Sequence, residues 1–242
     1  MTKAMLIVAG ILAAAPVCAD EASDTFVEAN ILGIFYHELG HALIDTENLP
    51  VFGQEEDAAD VFSILLVDSL YDHETAVDMA YDVANGFWGE ALVRDQDNQD
   101  VAWWDVHGPD EQRFYNTVCL FYGADPDARE DFAADMDLPQ ERADYCYDEF
   151  SKALDSWGSV LDDMAERKSG GTLEYAGGSD SLTEQIIEQE VAALNAEFRF
   201  AHPVTISVES CGEANAFYDP QDRAIIMCTE FEDHLRAMAD LL

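Results

Sequence analysis

Basic residues are scarce in this chain: eleven Lys and Arg stand against 51 Asp and Glu, a formal net charge of −40. That scarcity excludes nucleic acid as a partner, because binding a phosphate backbone needs basic surface. So acidic a surface repels itself unless salt screens it, which makes adaptation to a saline medium the simplest source of the bias. Long apolar runs are also missing. The one candidate, Met5 to Ala15, is too short to span a bilayer, so a membrane-spanning helix is excluded. No CxxC spacing occurs, which argues against a four-cysteine zinc site. Internal repeats are absent. The acidic loop Asp95-Gln96-Asp97-Asn98-Gln99-Asp100 lacks the glycine and closing glutamate of an EF-hand, and reads as a solvated loop. Disorder is excluded by the abundance of apolar residues, 49% of the chain.

Residues 1–19 read as a secretory signal peptide. Lys3 supplies the basic start, Met5 to Ala15 the apolar core, and Val17-Cys18-Ala19 a small-residue cleavage site before Asp20. The predicted product is exported, to the periplasm or outside the cell. It runs from Asp20 to Leu242 as a single domain with room for a substantial core. Four cysteines remain in it, and an even count in an exported protein favours two disulfides. The preferred pairing joins Cys119 to Cys146 between neighbouring helices, and Cys211 to Cys228 between β segments.

What the chain has is His37-Glu38-Leu39-Gly40-His41. Two histidines four apart share one face of a helix and can reach a single ion. The glutamate beside the first histidine can stand next to a metal-bound water, the HExxH arrangement of zinc hydrolases. Ser23 or Asp24 is a candidate cap for the helix, and Phe26, Ala29, Leu32 and Tyr36 recur at helical spacing. Ile34, Phe35, Leu39, Ala42 and Leu43 make it apolar nearly all round. Buried there without a metal, His37, Glu38 and His41 would each need a separate partner.

A catalytic zinc takes three protein ligands and keeps a fourth position open. The second apolar helix opens with Glu55-Glu56-Asp57-Ala58-Ala59-Asp60, where Glu56 and Asp60 share a face. Glu56 is the preferred third ligand, with Asp57 and Asp60 as alternatives. Asp60 would otherwise accept a hydrogen bond from the outer nitrogen of a liganding histidine. Glu55 and Asp57 read as acids favouring a helix N-terminus.

With these residues in place, the chain resembles gluzincin metallopeptidases, whose ExxAD element matches Glu56 to Asp60. The resemblance implies His37, His41 and Glu56 as zinc ligands, Glu38 as general base and Asp60 as their orienter. More closely, the chain is similar to a bacterial family of uncharacterised zinc metallopeptidases. The similarity rests on His37 to Ile44, Leu49-Pro50-Val51, Glu55 to Asp60, Asp110 to Asn116 and Asn215 to Pro220. It implies a zincin-like fold. Two features depart from ordinary gluzincins: the interval from His41 to Glu56 is short, and the β segments follow the metal helix.

The remaining pattern predicts helices over His73–Arg94, interrupted by Gly86-Phe87-Trp88-Gly89, and over Asp110–Tyr122. A short helix is expected from Asp125-Pro126, and longer ones from Leu138-Pro139, over Leu182–Phe198 and from Glu230. Glycine-rich stretches 169–171 and 177–179 flank a flexible connection. Pro203–Glu209 and Arg223–Cys228 read as the two strands of a hairpin. The predicted fold is therefore α+β, mostly α-helical, with a small antiparallel sheet near the C-terminus.

An oxyanion formed during hydrolysis needs a second donor. His107 and Tyr115 lead Arg113 as candidates, while Asn215 and Tyr218 read chiefly as turn formers. The expected function is zinc-dependent hydrolysis of a peptide or protein substrate, and the acidic field would favour basic peptides. The alternatives are a secreted zinc-stabilised binding protein without catalysis, and a metal-free helical protein with a fortuitous motif. Nitrogen and oxygen donors would also accept manganese, iron or cobalt. Oligomeric state is not set by these patterns.

Overall fold

The computed structural model describes residues 18–167, 171–177 and 181–242. Most of the predicted signal peptide and parts of both glycine stretches lie outside those residues.

Helix α1, Cys18–Thr46, is the centre of the molecule. Val27, Ile31, Phe35, Tyr36, Ala42 and Leu43 are fully buried in it, which is why its apolar residues do not keep to one side. It packs against α2 (Glu55–Leu70), α3 (His73–Gln96), α8 (Leu182–Glu197) and α9 (Glu230–Ala239). The helix starts upstream of the predicted cap; Asp24 instead forms an ion pair with Arg236 at 2.7 Å.

Helix α3 runs unbroken through Gly86 and Gly89. A Cβ at Gly86 would fall 1.9 Å from Asn30 Oδ1, and one at Gly89 would fall 2.3 Å from Met238. These glycines therefore serve close packing against α1 and α9, not a kink.

Helix α4, Asp110–Ala124, is followed by α5, Glu130–Asp135, and α6, Gln140–Ala153. Asp125 to Arg129 forms turns, so the predicted short helix begins later than Asp125-Pro126 suggested. A π-helical turn, Leu154–Gly158, places Trp157 against Phe62 of α2 and leads into α7, Ser159–Glu166. The Cys119–Cys146 disulfide joins α4 to α6, as expected.

The fold class is α+β as predicted, but the strand pairing is not. Four strands, β1 (Leu173–Tyr175), β2 (Val204–Glu209), β3 (Ala216–Asp219) and β4 (Ala224–Cys228), lie in the order β1-β2-β4-β3. The two expected strands, β2 and β4, run parallel, with Ile206 opposite Ile225. The hairpin is β3–β4, with Phe217 opposite Ile226. The turn chemistry at Asp219 to Asp222 joins those two, Asp219 Oδ1 accepting from Gln221 N at 2.8 Å. The Cys211–Cys228 disulfide closes the sheet as expected, tying the β2–β3 connection to the end of β4. β3 is an edge strand, and it packs against α1.

Candidate metal centre

His37 and His41 sit one turn apart on α1, facing the first turn of α2. Gly40 between them permits the close approach. A Cβ there would lie 3.0 Å from Ala59 Cα, so a larger residue would push α2 away. The result is a tight convergence. His37 Nε2 and His41 Nε2 are 3.2 Å apart, and Glu56 Oε2 lies 3.2 Å from the first and 3.1 Å from the second. Among the described residues these three form a group of possible metal donors.

The outer nitrogens explain why the inner ones are available. Asp60 Oδ1 is 2.7 Å from His37 Nδ1, and Glu55 Oε1 is 2.8 Å from His41 Nδ1. Each carboxylate can accept from an Nδ1–H, so that loss of the Nε2 proton would leave both inner lone pairs aimed at one point. Two lone pairs and a carboxylate oxygen at that range repel each other unless protons or a metal ion join them, and without metal His37 and His41 donate to Glu56 there. A tetrahedral ion with ligands at about 2.0–2.1 Å separates them by roughly 3.3–3.4 Å. The donor set fits such an ion.

The electrostatics carry the same signature. Burial disfavours a charged His37, but hydrogen bonds to Asp60 and Glu56 outweigh it and raise the imidazole to about 9. His41 is shifted upward for the same reasons, with Glu56 and Glu55 as partners. The hydrogen bonds from His107, His37 and His41 hold Glu56 far below the usual carboxylate range. Burial would raise Asp60, yet Arg113 and His37 hold it low. Arg113, from α4, donates to both oxygens of Asp60 at 2.8 Å and lies 4.3 Å from the Phe87 ring centroid.

Glu38 is 8% exposed and lines the cleft beside this group. Burial raises its pKa, opposed by the neighbouring histidines. Among the described residues none donates a hydrogen bond to its carboxylate, which leaves it free to take a proton. His107 comes from the loop between α3 and α4, and its Nε2 is 2.9 Å from Glu56 Oε2.

The structure thus brings together His37, Glu38, His41, Glu56, Asp60 and His107. Tyr115 is elsewhere: it does not line the cleft, and its ring packs edge-on against Phe114 at 5.0 Å. The reason is rotational, since two residues on a helix are about 200° apart and Arg113 takes the cleft side. Asp57 is exposed. Glu55 does more than favour a helix start, since it orients His41. Asn215 and Tyr218 line the cleft, and Tyr218 donates to Asp45 at 2.7 Å. A buried carboxylate at Asp60 requires a cation, and in so acidic a chain that requirement was the available signal for Arg113.

The cleft has a volume of about 1060 Å³ and is walled by α1, α2, α3, α4 and β3. A family model described as "Putative metallopeptidase" (DUF4344) matches residues 9–161 and 175–240. The chain belongs to this family. Membership in the metallopeptidase family supports a peptidase-type enzyme that uses a metal. No curated protein and no solved structure matches the chain. The two disulfides are compatible with an exported protein, and among the described residues no helix is long and apolar enough to cross a membrane.

Proposed function

We propose that this protein is a zinc-dependent peptidase of the periplasm or extracellular space, a single catalytic domain following a cleaved leader. The observation that carries this reading is the meeting of His37 Nε2, His41 Nε2 and Glu56 Oε2 within 3.2 Å, with Glu38 lining the same cleft and taking no hydrogen bond from the described residues. These three residues would hold the ion. Zinc bound there would supply Lewis acidity, making a water acidic and polarising the scissile carbonyl. Glu38 takes the water proton and passes it to the leaving amine, for which its raised pKa suits it. Asp60 and Glu55 keep the imidazoles in the liganding tautomer. His107, whose Nε2 lies 2.9 Å from Glu56 Oε2, would turn to donate to the developing oxyanion.

The substrate would be an extended peptide. β3 is a sheet edge, and successive residues from Asn215 to Tyr218 line the cleft. An edge of this kind accepts an added strand through backbone hydrogen bonds. The Tyr218–Asp45 bond fastens that edge to α1 one turn beyond His41.

A mixed peptide library incubated with the protein, with and without chelator, tests the reading. Cleavage that chelator abolishes and zinc restores is the expected result. A second reading, a zinc-stabilised binding protein, draws on the nearness of His107 to Glu56. With His107 as a fourth ligand the site would be closed. The library then shows no cleavage although metal is bound.

A further inference from the structure

Two loops beside the metal centre expose large apolar side chains. Phe52 is 97% exposed, Trp103 81%, Trp104 85% and Val106 61%. Single exposed apolar residues are ordinary, but four on adjoining loops are not. Gln54 Nε2 donates to Val106 O at 3.3 Å, which ties the loops together. Phe52 is three residues from Glu55, which touches His41, and Trp104 is three residues from His107, which touches Glu56. Three residues of chain reach at most about 10 Å, so the loops that carry these side chains border the mouth of the cleft, although none of the four lines the cleft itself.

The cleft behind them is acidic and short of free cations. Asp97, Asp100 and Asp105 line it on the tryptophan side, and Asp45 on the other. Its two arginines are committed: Arg113 to Asp60, and Arg94 to Asp110 and Glu111. A concave acidic wall concentrates the field that the whole surface generates. Tryptophan faces add attraction for Lys and Arg as well as for apolar groups.

We infer that the occupant of this cleft is a cationic peptide that also carries apolar side chains, its basic residues over the acidic wall and its apolar ones against Phe52, Trp103 and Trp104. The inference rests on the peptidase reading for the occupant being a peptide; the charge and the apolar mouth supply the rest.

The test uses the full chain with Glu38→Gln, loaded with zinc, and three labelled decapeptides. One combines Lys and Arg with Phe and Leu. The second replaces its basic residues by Glu, and the third replaces its apolar residues by Ser. The first should bind at least about tenfold more tightly than either at low salt, and its advantage over the acidic peptide should shrink in 1 M salt. Adding Trp103→Ser and Trp104→Ser should erase its advantage over the serine peptide. The kcat/KM ranking of the three peptides on the unmutated chain should agree. Equal binding, preference for the acidic peptide, or indifference to the tryptophan changes would overturn the inference. So would tryptophan-dependent capture of neutral phosphatidylcholine vesicles with peptide binding unaffected, which would make the mouth a membrane contact. Cleavage without regard to charge or apolar content would refute this substrate class and leave the peptidase standing. Selective binding of the first peptide with no cleavage by the unmutated chain would refute the peptidase alone.

Discussion

Arg113 holds both oxygens of Asp60 at 2.8 Å, and Asp60 in turn lies 2.7 Å from His37 Nδ1. A cation on α4 is thereby linked to an imidazole of the proposed metal site on α1 through a carboxylate on α2. Arg113→Met would strand the Asp60 charge and free the imidazole to rotate. Zinc affinity should fall about 10- to 100-fold, read by chelator competition. Thermal stability should fall by about 3 kcal/mol, since a half-broken buried pair is worse than none. An unchanged zinc affinity would cut Arg113 out of the support chain.

The two carboxylates behind the histidines differ in exposure. The Asp60 side chain is 16% exposed, that of Glu55 50%. Water competes more at Glu55, so Asp60→Asn should weaken zinc binding several-fold more than Glu55→Gln. Titrating the two variants side by side checks the order, and a larger loss in Glu55→Gln would reverse it.

Metal uptake should depend on pH. His37 is raised to about 9 without metal, so in the neutral range a proton occupies the nitrogen that zinc needs. Raising the pH removes that competitor. Affinity should therefore climb between about pH 6 and 9 and then level off, with protons released on binding. Calorimetry in buffers of different ionisation enthalpy counts those protons, and a count of zero at pH 7 would contradict the raised pKa.

Much of this centre was legible because the helix period is rigid. His37 and His41 four apart, and Glu56 and Asp60 four apart, share faces in any helix. The buried character of α1 followed from its unbroken apolar residues, and the disulfides from an even cysteine count. Tyr115 failed on the same geometry, since only one of Arg113 and Tyr115 can face the cleft. Strand partners were harder. β3 and β1 are short, and nothing local in Val204–Glu209 marks a parallel partner as against an antiparallel one. Glu55 and Arg113 act across helices, through contacts that no spacing within one helix reveals.

The Cys211–Cys228 disulfide anchors the connection leading into β3, the proposed peptide-binding edge. Replacing both cysteines by Ser should lower stability by about 3 kcal/mol, as for closing a loop of this size. It should raise KM for peptides more than it lowers kcat. Urea melts and steady-state kinetics read the two effects, and a stable variant with unchanged KM would detach β3 from substrate binding.

The most direct measurement is the zinc content and peptide turnover of the Glu38→Gln chain beside the unmutated one. Glutamine keeps the shape but cannot accept the proton. The expected result is one zinc per chain in both, with turnover falling at least about a thousandfold in the variant. Near-native hydrolysis by Glu38→Gln, or an unmutated chain that takes up no metal, would contradict the account.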